Sequence, residues 1–315
     1  MGVAKALGRE IGAGARIHII YTMKMKTKYF AFLLFFVTAS CCSAKTGKGD
    51  ASEKQTFVYS IQGTDTLRLD KYDAQTGGSA VENKPCVIFV FGGGFANGTR
   101  DGADYLPFYR RLVENGYVVV AIDYRLGLKD SKTQIDLSRA TESELAQFIP
   151  AFGRALSLAV EDLFDASRYV VAHAEEWHVN PQRIFSCGSS AGAITVLQGE
   201  YELCNRTPLA KSLPQAFNYA GVIAFAGAIF TTNGTLAWAA PPAPTLLFHG
   251  SADREVPYGM LKMGAIGMYG SEYIAGQLTA RDAPCTFYPF KNAGHEISNS
   301  PMTKNWDEIA TFLKK

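Results

Sequence analysis

The serine at position 190 stands in the pattern Gly-x-Ser-x-Gly, which Gly188 and Gly192 complete. The apolar residues 184–187 run into this pattern, and a helix-compatible segment, 191–201, follows it. A strand that turns sharply into a helix presents its central serine above the sheet, and only small neighbours tolerate so tight a turn. Taken alone, the pattern fits a nucleophilic serine and an ordinary glycine/serine turn about equally well, because such short patterns recur by chance.

A serine hydroxyl becomes an effective nucleophile when a base within hydrogen-bond reach takes its proton, usually a histidine that a carboxylate holds. Two of the five histidines follow predicted strands in the C-terminal third of the chain. His249 ends the predicted strand 244–249, and His295 follows the last predicted strand, 285–288. The other three histidines precede residue 190, where solvated or packing roles are the more common ones.

Catalytic groups gather at the carboxyl ends of the strands in a parallel sheet. Asp253 and His295 both follow strands at that edge, as Ser190 does, and this chain order is the one expected on an α/β-hydrolase sheet. Glu255 and Glu296 stay open as alternatives for the carboxylate, and His249 stays open as an alternative base.

A second motif, Gly92-Gly93-Gly94, follows the apolar run 86–91. A serine hydrolase needs amide donors fixed where negative charge develops, and the amide after the nucleophile, here that of Ala191, is one of them. Glycine permits both the turn and the close approach of a substrate carbonyl. A plain glycine turn and a phosphate-binding loop are the alternatives, and no Gly-Lys-Ser/Thr signature supports the second.

Predicted strands alternate with predicted helices along the chain, which indicates a mostly parallel sheet with helices on both faces. A hairpin is predicted over 56–72, and a long amphipathic helix over 156–177. The segment 126–152 is polar, irregular and longer than most connections, so it is predicted to be a short cap over the pocket. Phe148, Ile149 and Phe152 could line an acyl or aromatic site there, or could equally belong to the core.

The N-terminal segment 1–44 combines an upstream extension with a predicted secretory signal. Lys24, Lys26 and Lys28 precede the apolar run 29–37, and small residues follow over 38–44. This order is typical of a signal peptide, and the apolar run is short for a permanent membrane span. Cys41 also ends a loose lipobox, so a lipid anchor at Cys41 is the alternative to a freely secreted protein.

After that signal, the sequence predicts a polar tether over 45–54 and one α/β domain over 55–315. The chain is 47% hydrophobic with a formal net charge of +2, which gives no reason to expect a nucleic-acid partner. The four cysteines that remain show no metal-ligand spacing, and no cofactor motif is present, so neither a metal nor a cofactor is expected.

Together these motifs resemble the α/β-hydrolase superfamily, in particular bacterial esterases of the carboxylesterase/lipase group with an HGGG-type oxyanion loop. The resemblance implies a single α/β-hydrolase domain with Ser190 as nucleophile, His295 as general base and acid, and Asp253 as the residue that orients the histidine. It also implies that the amides of Gly93 and Gly94 join that of Ala191 in the oxyanion hole.

This chain departs from the HGGG pattern at one position, because Phe91 stands where the loop's histidine usually lies. In the resembling esterases that histidine braces the loop and carries no proton, so we expect hydrolysis to survive the change. Aromatic packing by Phe91 or Phe95 is expected to replace the brace.

The function that the resemblance implies is serine carboxylic-ester hydrolysis through an acyl-enzyme, on short-chain acyl or carbohydrate-linked esters, in an exported protein. A non-catalytic surface protein that keeps the hydrolase sheet is the alternative from another class. A serine peptidase on the same fold is a third interpretation, less favoured because no propeller or large cap domain is present.

Overall fold

The computed structural model describes residues 52–74, 83–130 and 141–315. The predicted signal peptide with Cys41, and most of the predicted tether, lie outside the described residues. The first strand begins at Ser52, inside the segment expected to be a tether. None of the helices in the described ranges combines the length and apolar composition that a bilayer span needs.

The strands, in chain order, are β1 (Ser52–Gln62), β2 (Asp65–Ala74), β3 (Lys84–Val90), β4 (Val118–Ile122), β5 (Val179–Ser189), β6 (Gly221–Phe225), β7 (Ala228–Thr231), β8 (Thr245–Gly250), β9 (Met260–Met263), β10 (Ile266–Gly270) and β11 (Cys285–Phe290). The α-helices are α1 (Leu106–Glu114), α2 (Glu142–Ala172), α3 (Ala191–Cys204), α4 (Ser271–Thr279), α5 (Ser300–Lys304) and α6 (Trp306–Leu313). A short 3₁₀ helix spans Leu209–Ser212 and another spans His295–Ser298.

The main sheet has eight strands in the order β1-β2-β4-β3-β5-β6-β8-β11. The β1–β2 and β2–β4 pairs are antiparallel, and every pair from β4 to β11 is parallel. Strands β4, β6 and β8 are buried at every position. Continuous burial requires cover on both faces of a sheet, as expected for parallel strands between helical layers.

Helix α2 differs from the prediction: it runs from Glu142 to Ala172, whereas the sequence favoured 156–177. Residues 142–152, predicted to be irregular, therefore form its first turns. A capping box starts the helix, because the Thr141 hydroxyl accepts from the Glu144 amide at 3.3 Å and the Glu144 carboxylate accepts from the Thr141 amide at 2.8 Å. The helix continues through Pro150, although proline removes one helical hydrogen bond.

A second, three-stranded antiparallel sheet, in the order β7-β10-β9, was not predicted. Its strands are only four or five residues long. Strand β7 pairs with β10, which lies more than thirty residues further along the chain. This small sheet and the first turns of α2 both contribute side chains to the region around Ser190.

Candidate active site

Ser190 occupies the turn between the end of β5 and the start of α3, with φ 51° and ψ −117°. A non-glycine residue in this region of backbone space is strained, and such strain is characteristic of a nucleophile elbow. A Cβ on Gly192 would overlap the carbonyl of Val90, and one on Gly188 would overlap the backbone of Gly192. Both flanking glycines are therefore required by close backbone approach.

His295 and Asp253 lie in one hydrogen-bonded line with this serine. The Ser190 Oγ is 2.7 Å from His295 Nε2, and His295 Nδ1 is 2.8 Å from Asp253 Oδ2. Asp253 follows β8 and His295 follows β11, adjacent parallel strands whose carboxyl ends meet at the same sheet edge. The structure thus brings together the three residues that the sequence singled out.

The Asp253 side chain is fully buried and held on both oxygens. Its Oδ1 accepts from the amides of Glu255 at 2.9 Å and Val256 at 3.0 Å. Burial acts to raise the pKa of Asp253, but hydrogen bonds from His249, His295 and the Val256 amide outweigh burial and hold the pKa well below its usual range. Asp253 therefore stays an anion that orients the His295 ring.

His249, the alternative base, lies beside Asp253 and is completely buried. Its Nδ1 is 2.8 Å from Ser271 Oγ, while its Nε2 is 3.3 Å from both Asp253 Oδ2 and the Val256 carbonyl oxygen. Both ring nitrogens are thus engaged with groups other than Ser190. This arrangement favours a structural role for His249 in holding Asp253.

The two alternative carboxylates do not replace Asp253. Glu255 Oε2 is 3.6 Å from His295 Nε2, on the side of the ring that faces Ser190, and its side chain is 72% exposed. Glu296 contributes only its negative charge to His295. Burial acts to lower the pKa of His295, but the hydrogen bond to Asp253 and the charges of Asp253, Glu255 and Glu296 outweigh it and raise the pKa.

The raised pKa of His295 gives a prediction for the acid limb of the pH–rate profile. His295 accepts the serine proton only when neutral, so kcat/KM is expected to fall as the pH drops through its pKa, at a pH above the ordinary histidine value of about 6.5. Glu255→Gln removes one of the charges that raise this pKa, so the limb is expected to move to lower pH, by a fraction of a unit because Glu255 is exposed. A profile from pH 5 to 9 measures the shift, and an unmoved or higher limb would contradict it.

The glycine loop lies next to the elbow. Gly93 and Gly94 adopt φ values of +130° and +62°, which favour glycine. Their amides donate to no protein acceptor within the described residues. The amide of Ala191 is in the first turn of α3, where an N–H has no acceptor within the helix. Three amides are thus available close to Ser190.

Two tyrosine hydroxyls and one aromatic ring hold this loop in the absence of the usual histidine. The Tyr124 hydroxyl donates to the Phe91 carbonyl oxygen at 3.1 Å, and the Tyr105 hydroxyl accepts from the Gly92 amide at 3.0 Å. The Phe91 ring lies 4.5 Å from the Tyr124 ring, centroid to centroid. Packing by Phe91 was expected, whereas the two tyrosine hydrogen bonds were not.

The expected packing by Phe95 is also present. Its ring contacts Phe152 edge-on at 5.6 Å and Tyr124 at 6.2 Å. The sequence did not identify Tyr124 as a residue that holds the loop. A tyrosine hydroxyl that holds the loop backbone leaves no local pattern, because its partner, the Phe91 carbonyl, is distant in the sequence.

Tyr124→Phe is expected to lower kcat for ester hydrolysis about tenfold with a smaller change in KM, because a loosened loop misplaces donors that act mainly in the transition state. Tyr72→Phe is the matched control, since the Tyr72 hydroxyl is buried with no partner among the described residues. Steady-state kinetics of both variants measure the changes in kcat and in KM separately. Equal kcat values for Tyr124→Phe, Tyr72→Phe and the parent would show that the hydrogen bond does not position the loop.

A cavity of about 840 Å³ opens over Ser190 and the glycine loop. Phe148 and Phe152 from the first turns of α2 line this cavity, as the sequence suggested. Ile149 does not line it and faces neighbouring spaces instead. Among the described residues, no group of three His, Cys, Asp or Glu side chains is placed to hold a metal ion.

The model of BD-FAE, an α/β-hydrolase family, matches residues 72–135. The fumonisin B1 esterase of Sphingopyxis macrogoltabida is 30% identical over 138 residues, which are 43% of this chain and 22% of that protein. The matched stretch thus spans about a fifth of that relative's length.

Solved structures of an esterase from the bacterium Thermogutta terrifontis, esterase 2, align over most of both chains. The form phosphoramylated by tabun is 22% identical, with a TM-score of 0.58, over 83% of this chain and 91% of that chain. The apo form is 21% identical, with a TM-score of 0.57, over 84% of this chain and 91% of that chain. The chain therefore has the α/β-hydrolase fold, as its motifs implied.

Proposed function

We propose that this protein is a serine carboxylic-ester hydrolase that acts through an acyl-enzyme. The observation that carries the proposal is the continuous line of hydrogen bonds from Ser190 Oγ through His295 to Asp253, at 2.7 and 2.8 Å. A strained serine, a histidine and a buried carboxylate in this arrangement are the elements of nucleophilic catalysis.

In the acylation step, Ser190 Oγ attacks the ester carbonyl carbon while His295 Nε2 takes the hydroxyl proton. The carbonyl oxygen becomes an oxyanion, which the amides of Gly93, Gly94 and Ala191 stabilise. When the tetrahedral intermediate collapses, the bond to the alcohol breaks and His295 returns its proton to the departing alcohol oxygen.

In the deacylation step, water replaces the alcohol. His295 takes a proton from this water, whose oxygen attacks the acyl carbon of the ester on Ser190. Collapse of the second intermediate breaks the bond to Ser190 Oγ and releases the carboxylic acid, and His295 returns the proton to the serine. Asp253 stays charged throughout and stabilises the histidine each time it is protonated.

We propose esters of short acyl chains, or acyl esters of carbohydrate hydroxyl groups, as the substrates. The matched relatives are esterases by name, and one aligned Thermogutta terrifontis structure, with a TM-score of 0.55, is described as butyrate-bound. The mixed lining of the cavity, with glycine amides beside aromatic rings, suits an ester with one apolar and one polar side.

Turnover of p-nitrophenyl acetate with paraoxon titration tests the proposal. We expect hydrolysis of p-nitrophenyl acetate well above the buffer rate. In a separate reaction with paraoxon, we expect about one equivalent of p-nitrophenol to be released per protein chain, and the esterase activity to be completely lost at that point. Turnover no faster than buffer, with no stoichiometric release, would instead support the non-catalytic alternative.

A further inference from the structure

The elbow, residues 188–192, makes a second contact with the loop that carries His295. The Ser189 hydroxyl donates to Asn299 Oδ1 at 2.9 Å. Among the side-chain hydrogen bonds of the described residues, it is the one that joins these two segments besides the bond between Ser190 and His295. The Ser189 side chain is almost completely buried, so its hydroxyl depends on a protein partner.

The loop that carries His295, residues 291–299, is anchored differently on the two sides of the histidine. Before His295, the carbonyl oxygen of Ala293 accepts from the Ala252 amide at 2.8 Å. Ala252 directly precedes Asp253 in the sequence. This side of the histidine loop is therefore fixed relative to the carboxylate, and the bond does not reach the nucleophile.

On the other side of His295, a single turn of helix connects the histidine to Asn299. The 3₁₀ helix His295–Ser298 ends at Asn299, whose amide donates to the Glu296 carbonyl oxygen at 3.2 Å. Helix α5 begins directly after Asn299, so this residue is held between two helical segments. Its side-chain bond to Ser189 therefore ties this side of the histidine loop to the elbow.

Ser189 also lies against the glycine loop. A Cβ on Gly92 would lie 3.3 Å from Ser189 Oγ and 3.1 Å from Ser190 Cβ, which is closer than ordinary packing distance. The Ser189 hydroxyl thus lies where the elbow, the glycine loop and the histidine loop meet. A change in the Ser189 contact is transmitted to groups that must stay in register for the reaction.

We propose that Ser189 and Asn299 form a positioning pair that sets the contact between Ser190 Oγ and His295 Nε2. Neither side chain reacts, and their hydrogen bond holds the histidine loop against the elbow. The inference rests on the proposed esterase function and adds two residues on which proton transfer depends. A base must lie within hydrogen-bond distance of the proton it takes, and a misplacement of about 1 Å costs on the order of 10²-fold in rate.

Ser189→Ala and Asn299→Leu each remove one half of this hydrogen bond. Each variant is expected to lower kcat for p-nitrophenyl acetate about tenfold and to leave KM within about twofold, because the bond acts on the position of the base. Rates are expressed per site titrated with paraoxon, so that unfolded chains do not count. Ser186→Ala is the matched control on the same strand, since its buried hydroxyl has no partner among the described residues, and kcat is expected to stay at the parent value.

The double variant Ser189→Ala/Asn299→Leu shows whether the two residues act through one bond. A shared bond predicts about the same loss of kcat as in either single variant, whereas independent effects would multiply to about a hundredfold.

Asn299→Asp provides a conservative replacement, because its carboxylate still accepts from Ser189 Oγ. The added charge raises the pKa of His295, so the comparison is made at pH 9, where the ring is neutral. There kcat is expected to lie within about threefold of the parent, well above that of Asn299→Leu.

Three results would each overturn the positioning pair: single variants with the parent's kcat, losses that multiply in the double variant, or Asn299→Asp as slow as Asn299→Leu at pH 9. If the parent still hydrolyses the ester and paraoxon labels Ser190, the esterase proposal stays intact in all three cases. A parent that neither hydrolyses the ester nor releases p-nitrophenol from paraoxon would count against both proposals.

Discussion

Ser190→Ala is expected to lower kcat/KM for p-nitrophenyl acetate by on the order of 10⁵-fold. The substitution removes the nucleophilic oxygen that lies 2.7 Å from His295 Nε2, so no acyl-enzyme forms. The remaining oxyanion donors and binding contacts account for whatever rate persists, because the members of a triad act as a unit. Initial rates at matched protein concentration measure the loss.

Ser186→Ala is the matched control for that experiment. Ser186 lies on the same strand, β5, and its buried hydroxyl has no hydrogen-bond partner among the described residues. Its replacement is expected to leave kcat/KM within about twofold of the parent. If Ser190→Ala retained a similar rate to Ser186→Ala, Ser190 would not be the nucleophile.

Asp253→Asn is expected to lower kcat by on the order of 10⁴-fold, with little change in KM. The Asp253 carboxylate accepts the Nδ1 proton of His295 and so keeps Nε2 free to accept from Ser190. An asparagine amide can donate to Nδ1 instead, which favours the tautomer that carries its proton on Nε2. The wrong tautomer and the lost charge both destabilise the transition state, so kcat falls while KM changes little. Steady-state kinetics measure both constants.

His249→Gln tests whether His249 only holds Asp253 or is itself the catalytic base. His249 contacts Asp253 Oδ2 at 3.3 Å and Ser271 Oγ at 2.8 Å, and it has no contact with Ser190. Its replacement is expected to cost much less than His295→Gln, which removes the base. A larger loss of kcat in His249→Gln than in His295→Gln would indicate that His249 is the base.

The parts of the site that the sequence predicted are those that follow from local pattern and chain order. Ser190 lies in a motif that demands an elbow, Asp253 follows the buried strand β8, and His295 follows the edge strand β11. Because parallel strands place their carboxyl ends at one edge, that order suffices to bring the three residues together. The strands before Ser190 and Asp253 were visible as apolar runs.

The first turns of α2 were missed because their sequence is polar and contains Pro150, both of which indicate a loop. Thr141 and Glu144 nevertheless form the Ser/Thr-x-x-Glu pattern of a capping box, and this signal could have identified the start of the helix. Phe148 and Phe152 acquire a defined direction only once the helix extends through them, since helical spacing puts both on one face.

The small sheet β7-β10-β9 left no usable pattern, because short strands with long-range pairing depend on contacts that the local sequence does not encode. Met268, which this sheet brings to the cavity over Ser190, was therefore not a candidate for the site. Tyr105 and Tyr124 were missed for a related reason: their hydroxyl partners are backbone groups on other elements.

Peptide mapping after reaction with paraoxon tests the central claim most directly. A single diethylphosphoryl group is expected on the peptide that contains Ser190, with labelling lost in Ser190→Ala and strongly slowed in His295→Gln. Labelling at another residue, or equal labelling of the parent and Ser190→Ala, would contradict the assignment of Ser190 as a nucleophile that His295 activates.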